Sequence, residues 1–241
     1  MKSAVSALLM VLALLSGLNG QENPDLGFFQ EDSPVPALME TFVLPLDGGS
    51  WTMNCYLVWD PASRRAIIID PGAPARDLIA FIKARNLDPR AVLLTHGHRD
   101  HLGGLESLTS RYSIPVYLHR EDQALAGRIP GGKANFTDYP KTGVLRWDDL
   151  EIRIISTPGH TPGSVCLKCG SLLFSGDTLF AGGVGKAWGD TPGRRDTNLE
   201  REIRSIRRHL LNLPSMTRVL PGHGDATTIG AERVFNPYLN R

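Results

Sequence analysis

The chain has 241 residues, of which 41% are hydrophobic and 21% charged, and its formal net charge is +1. That length suits one domain, or one domain with a tail, and it is enough to bury a large core. The near-neutral balance excludes the basic footprint of a nucleic-acid-binding protein, and the composition is that of a folded soluble chain.

Lys2 precedes an apolar run from Ala4 to Leu15, and Ser16, Gly17, Asn19 and Gly20 follow it. A basic start, about a dozen apolar residues and small residues at the end describe a secretory signal peptide. A bilayer span takes roughly 20 apolar residues. Residues 1–20 are therefore expected to be a cleaved leader, with the protein secreted or periplasmic and no stable membrane span after cleavage. Pro24, Pro34, Pro36 and several acidic residues make 21–40 a linker or extension. The folded domain is expected over 41–241.

Within it, Thr41 to Leu46, Asn54 to Trp59 and Ala66 to Ile69 read as strands, the last ending on the turn signal Asp70-Pro71-Gly72. Leu78, Ile79 and Ile82 give Arg76 to Arg85 helical spacing. Ala91 to Leu94 is a buried-strand run leading into His96. Leu102 to Arg111 reads as a helix, Val116 to Leu118 as a strand and Glu121 to Ala126 as a short helix. Residues 127–143 read as loop. Val144 to Arg146 with Leu150 to Ile155 form one expected hairpin. Ser164 to Lys168 with Ser171 to Ser175 form a second, turning at Cys169-Gly170. Leu199, Ile203, Ile206 and Leu210 mark one face of a helix from Asn198 to Leu211. Arg201, Arg204, Arg207 and Arg208, with Glu200 and Glu202 interleaved, read as its solvated face. Arg218 to Leu220 is a last strand and Ile229 to Phe235 a closing helix. Strands thus come in two batches, each followed by helices, and two packed sheets with helices outside fit that order.

Cys55, Cys166 and Cys169 cannot all pair within one chain. Cys166 and Cys169 have C-x-x-C spacing, but three steps along a strand place them on opposite faces. They read as buried small residues, with a disulfide as the alternative in an oxidising compartment.

The chemistry concentrates in Thr95-His96-Gly97-His98-Arg99-Asp100-His101, which packs three imidazoles and one carboxylate into six residues. Imidazole and carboxylate suit zinc, iron and manganese. The segment follows a strand and precedes Leu102-Gly103-Gly104, so it is a loop. His96 and His98, two apart in extended chain, can face one metal, while Asp100 and His101 reach a neighbour. Three further turns each place a donor after a glycine: Gly159-His160, Gly176-Asp177 and Gly222-His223. Together they supply seven donors, enough for two divalent ions sharing a carboxylate, with positions open for water. His119 and His209 read as structural or surface residues.

At these residues the chain resembles the metallo-β-lactamase superfamily, whose motif H-x-H-x-D-H stands here at His96 to His101 with the later His, Asp and His also present. The resemblance runs from about Phe42 to Tyr238. It implies an α/β fold, a four-layer αββα sandwich with metals at one edge of the sheets, and a metallo-β-lactamase-like hydrolase domain over 41–241. By that resemblance His96, His98 and His160 hold the first metal, Asp100, His101 and His223 the second, and Asp177 bridges them. Asn54-Cys55-Tyr56-Leu57-Val58, the run from Ser175 to Phe180, Pro221-Gly222-His223-Gly224 and the run from Ala226 to Gly230 look like the glyoxalase II-like branch. The segment Gly185 to Thr191 resembles the stretch where that branch meets glutathione, which makes Lys186 and Trp188 candidate substrate contacts. True glyoxalase II enzymes carry an extra C-terminal helical domain, so the likeness is to the shorter, single-domain members.

The ligand set predicts a binuclear hydrolase of a small-molecule thioester or ester. A hydroxide held between two ions, most simply Zn(2+) with iron or manganese as alternatives, attacks a carbonyl while one ion stabilises the oxyanion. Asp100 and Asp177 are the catalytic candidates, Asp100 orienting the nucleophile. Arg99, at the motif's variable position, is a candidate contact for an anionic substrate group, with a surface salt bridge as its alternative. Three rival readings follow. A β-lactam or lactone hydrolase fits export, but zinc β-lactamases usually place Cys or Ser at the position of Asp177. A mono-iron sulfur dioxygenase of the same fold would use a subset of the donors with Asp177. A non-catalytic metal-binding scaffold would not need all seven.

Overall fold

The computed structural model describes residues 38–46, 51–73, 75–127, 135–188 and 191–240. The expected leader, the extension up to residue 37 and positions 128–134 of the expected loop lie outside the described residues.

Two six-stranded sheets carry the fold. In the first, β1 (Leu38–Leu46), β2 (Trp51–Trp59), β3 (Arg65–Ile69), β4 (Asp88–Leu93), β5 (Val116–Tyr117) and β6 (Phe136–Thr137) lie side by side in that order. The first three pair antiparallel, and β3 to β6 pair parallel. Parallel neighbours need a crossover. Helices α1 (Arg76–Ala84), α2 (Leu105–Arg111) and α3 (Arg120–Ala126) supply them. In the second sheet β7 (Val144–Trp147), β8 (Leu150–Ser156), β9 (Val165–Cys169) and β10 (Leu172–Gly176) form an antiparallel meander. A small ribbon, β11 (Leu179–Phe180) with β12 (Gly183–Val184), precedes the long helix α4 (Pro192–His209). That helix crosses to β13 (Arg218–Pro221), which lies parallel to β10, and β14 (Thr227–Thr228) and α5 (Ile229–Phe235) finish the chain.

The layers follow from the two-residue period of strand side chains. Cys55, Leu57, Ala66, Ile68 and Val92 point outward into one core with Leu78, Ile82, Leu105 and Leu108 of the helices. Their neighbours Tyr56, Val58, Ile67, Ile69, Ala91 and Leu93 point inward and meet Ile152, Val165, Leu167, Phe174 and Leu220 of the second sheet. The outer face of that sheet packs Cys166, Leu173 and Val219 against Ile206, Leu210 and Ile229. Three cores between four layers make an αββα sandwich. Each fully buried Leu, Ile or Phe contributes about 1.5–3 kcal/mol, so the sheet-to-sheet register is strongly held.

The structure revises several sequence expectations. Strand β1 starts at Leu38, inside the expected extension, because Met39 packs on the central core. Helix α2 starts at Leu105, since residues 102–104 form a turn. Helix α4 starts six residues early, capped by the Thr191 hydroxyl with Pro192 at its first position. Its first two turns are solvated and carry no apolar periodicity. Strand β6 lies in the segment read as loop, and β11, β12 and β14 are too short for alternation to mark them. Glu202, placed on the solvated face of α4, is instead fully buried, whereas Arg201, Arg204, Arg207 and Arg208 are exposed.

Cys166 faces the outer core and Cys169 the central one, so the strand separates them as its period requires. All three cysteines are buried and unbridged. Burial raises their thiol pKa values, to about 12 for Cys166 and about 11 for Cys169. A thiol reagent should therefore label none of them in the native protein and three per chain in denaturant. A count of one in denaturant would show a disulfide instead.

Candidate metal centre

Four loops meet at one edge of the sandwich. His96 to His101 follow β4, His160 lies between β8 and β9, Asp177 directly follows β10, and His223 directly follows the stretch after β13. Backbone bonds sew the sheets together there: Val165 N–H donates to Thr95 O at 2.9 Å and Asn54 N–H to Gly222 O at 2.7 Å. The Asn54 amide adds bonds to Pro221 O and Gly224 O, and the Tyr56 hydroxyl donates to Pro221 O at 2.6 Å. The His223 turn is thus held by a strand of the other sheet. Gly222 leaves room for the cluster, since a Cβ on it would stand 2.5 Å from Asp177 Oδ1 and 2.7 Å from His101 Cε1.

All seven donors singled out in the sequence come together, in two groups. In the first, His98 Nδ1 lies 3.0 Å from His96 Nε2 and 2.9 Å from His160 Nε2, and the latter two are 3.3 Å apart. In the second, His101 Nε2 is 3.3 Å from Asp177 Oδ1, and His223 Nε2 is 3.1 Å from Asp100 Oδ2. Asp177 Oδ2 is 3.6 Å from His160 Nε2 and 3.7 Å from His223 Nε2, so this carboxylate reaches both groups.

Outer partners decide which ring nitrogen faces the centre. His160 Nδ1 donates to Lys186 O at 2.9 Å, and His223 Nδ1 to Thr52 O at 2.6 Å. The Thr95 hydroxyl donates to Asp70 Oδ2 at 2.7 Å, which leaves it to accept from His96 Nδ1 at 3.1 Å. His101 Nδ1 stands 3.0 Å from Asp70 Oδ2. The partners of His96, His160 and His223 place a proton on Nδ1 and turn Nε2 toward the centre. Lone pairs at such distances repel one another unless a cation lies between them. Among the described residues, both ring nitrogens of His101 and Asp177 Oδ1 are also buried without a hydrogen-bond partner. Divalent cations fit this all-nitrogen-and-oxygen donor set.

The two groups differ electrostatically. Burial drives the pKa of His96 far down, that of His98 to about 4, and that of His160 below the usual range. Burial also opposes charge on His101 and His223, but it is outweighed. Asp70 and Asp177 hold His101 well above the usual imidazole value, and Asp100 and Asp177 raise His223. Asp100 and Asp177 are lowered in turn despite burial, by His223 and His101.

Two buried carboxylates escaped the sequence reading. Asp70, taken as part of a turn, accepts from Thr95 N–H and Thr95 Oγ1 while facing His101. Its signal was an acid directly after the Ile67-Ile68-Ile69 run, at the strand end where the ligand loops also start. Asp122, taken as an ordinary helix residue, accepts from Gly97 N–H, Gly163 N–H and Thr161 Oγ1 at 2.6–2.9 Å. It ties the His96 loop to the His160 loop, and nothing in its local sequence shows this.

Of the proposed substrate contacts, the exposed Trp188 meets His98 edge-on at 5.7 Å between ring centroids, and Lys186 Nζ lies 4.3 Å from the Trp188 centroid. Arg99 is exposed, and no ion pair joins it to a described residue. His119 caps α3 by accepting from Glu121 N–H, and His209 is exposed, as expected of structural and surface residues.

An αββα sandwich with His/Asp loops converging at one sheet edge defines a protein with a candidate metal centre. Residues 49–223 match the family described as the metallo-beta-lactamase superfamily. The chain is 37% identical to the probable metallo-hydrolase YqgX of Bacillus subtilis, over 73% of this chain and 88% of that one. It is 36% identical to the hydroxyacylglutathione hydrolase GloC of Haemophilus influenzae, over 79% and 94%. Among solved structures, the BLEG-1 B3 metallo-beta-lactamase matches with a TM-score of 0.69 at 35% identity, over 85% of this chain and 100% of that one. A di-iron-bound form of TTHA1623 matches at 0.66 and 37%, over 82% and 100%, and ETHE1 from Myxococcus xanthus at 0.66 and 28%, over 82% and 83%. The chain belongs to the metallo-beta-lactamase superfamily.

One outcome follows. Asp70→Asn turns an amide N–H toward His101 and favours the wrong tautomer. Because Asp70 also holds His96 through Thr95, the variant should weaken both metal equivalents, by about 10–100-fold in chelator competition.

Proposed function

We infer that the protein is a metal-dependent hydrolase with two divalent ions, acting on a small-molecule thioester or ester. The observation that carries this reading is the reach of Asp177 to both donor groups, because a shared carboxylate joins two cations into one centre. His96, His98 and His160 would hold the first ion and Asp100, His101 and His223 the second, with Asp177 available to both. When bound, such ions supply Lewis acidity, acidifying water and polarising a carbonyl. Zinc, iron and manganese all accept these ligands.

The chain's own residues do the rest. The three outer acceptors on His96, His160 and His223 keep their Nε2 atoms aimed at the centre. Asp100 is only part-buried and stays ionised, so it can accept a hydrogen bond from water entering the site and orient it. Lys186 and Trp188 flank the His98 side. An ammonium and an exposed indole there suit a substrate with an anionic group on an apolar arm. No nucleophilic Ser or Cys is required. The likeness to GloC supports a thioester of the glutathione type, and the likeness to BLEG-1 favours a β-lactam as the second reading. Export to the secreted or periplasmic space remains part of this proposal, on the strength of residues 1–20. No helix of the described residues is long and apolar enough to cross a membrane.

Purified protein should contain close to two metals per chain and hydrolyse S-lactoylglutathione. Turnover of a chromogenic cephalosporin instead would favour the second reading. One iron per chain with neither activity would replace both by a mononuclear oxygenase. Asp177→Ala should lose hydrolysis and metal together, and an active, metal-replete variant would refute the scheme.

A further inference from the structure

Glu202 is fully buried in α4, on a helix whose exposed face is rich in arginine. Its Oε1 accepts from Gly185 N–H at 3.2 Å, and its Oε2 has no hydrogen-bond partner among the described residues. Leaving a buried oxygen unpaired is costly, and an apolar side chain of similar volume would avoid that cost. Two glycines let the helix at position 202 lie directly against the site loops. A Cβ on Gly159 would stand 2.2 Å from Glu202 Cβ, and one on Gly185 would stand 2.6 Å from Glu202 Oε1.

Those two glycines precede the residues that matter in the site. Gly159 precedes His160, and Gly185 precedes Lys186. His160 Nδ1 donates to Lys186 O, which closes a ring of contacts: Glu202 to Gly185, along the chain to Lys186, across to His160, back along the chain to Gly159 and down to Glu202. The same stripe of α4 holds both ends of this ring. Asn198 Nδ2 donates to Trp188 O at 2.5 Å, and Ser205 Oγ to Pro158 O at 2.8 Å. Asn198, Glu202 and Ser205 are spaced i, i+4, i+7, one face of a helix.

We propose that Glu202 is a positioning residue that sets the place of the Lys186–Trp188 segment over His160, and so determines how tightly the site holds its substrate. This rests on reading Lys186 and Trp188 as substrate contacts. Glu202 touches neither substrate nor metal and acts through the two backbones it braces. Burial pushes its carboxyl pKa up to about 9, so at neutral pH it is an uncharged acid whose Oε1 accepts from Gly185 N–H.

The test compares Glu202→Leu with Glu202→Gln in the metal-loaded protein. The leucine variant keeps the volume and loses the acceptor. It should raise KM for S-lactoylglutathione about tenfold, the scale of one lost hydrogen bond, with kcat within about twofold, unchanged metal content and an unchanged or higher melting temperature. The glutamine variant keeps a neutral acceptor and should restore the KM. A second readout needs no substrate. Trp188 emission, taken as the difference from Trp188→Phe in each background, should change in Glu202→Leu and return in Glu202→Gln. If wild-type protein turns over no thioester, the functional reading fails while the emission still decides the positioning. If Glu202→Leu does not fold, Asn198→Ala should produce the same KM and emission changes by releasing the other end of the segment. A folded Glu202→Leu, or failing that an Asn198→Ala variant, with wild-type KM and wild-type emission would overturn the proposal.

Discussion

Five imidazoles and two carboxylates converge at one sheet edge, and their lone pairs repel unless cations lie among them. The rest of the structure can be understood as the means of holding that arrangement. A ring that could choose its tautomer would turn an N–H inward and relieve the repulsion. Thr52 O, Lys186 O and the Thr95 hydroxyl remove the choice by occupying Nδ1 of three rings, and Asp70 faces Nδ1 of His101 at 3.0 Å. Asp70 serves two rings, His101 directly and His96 through Thr95, and it accepts the Thr95 backbone N–H as well. Buried carboxylates are costly unless fully bonded, and here that bonding is what makes the centre rigid.

Holding the loops requires both sheets at once. The His96 loop leaves the first sheet, while His160, Asp177 and His223 leave the second. Their relative placement is only as firm as the packing between the sheets. The central core of Tyr56, Ile67, Leu93, Leu167, Phe174 and Leu220 supplies that firmness without direction. Direction comes from polar stitches at the edge itself: Asn54 and Tyr56 on the His223 turn, Val165 on Thr95, and Asp122 between the His96 and His160 loops. Glu202 and its neighbours on α4 extend the same logic outward, to the segment carrying Lys186 and Trp188.

The electrostatic split between the two donor groups has one source. Both are buried, and burial alone depresses an imidazole pKa. His96, His98 and His160 face chiefly each other, so depression prevails. His101 and His223 face carboxylates, which reverse it. One cluster therefore offers a neutral, nitrogen-rich site beside an anionic, mixed site, a difference that composition at the ligand positions already implies.

The ligand set was legible because loop chemistry is local: glycines, histidines and acids at fixed short spacings, each after an apolar strand, announce donors whatever the loops later meet. Apolar runs such as Tyr56-Leu57-Val58 and Ile67-Ile68-Ile69 likewise marked strands, and the two-residue strand period gave the opposite placement of Cys166 and Cys169. The solvated start of α4 and the two-residue strands were not legible, because an exposed turn carries no periodicity and two residues carry no alternation. The residues that only tertiary structure revealed, Asp70, Asp122 and Glu202, share one property. Each is a common acid in an ordinary local setting, and its role depends on partners 17 to 41 residues away, brought close by sheet packing. The sequence by itself determined which atoms could bind a cation and which faces of the strands are apolar. Folding decided which acids would be stripped of water and aimed at those atoms, since desolvation and hydrogen-bond direction exist only once the layers have closed.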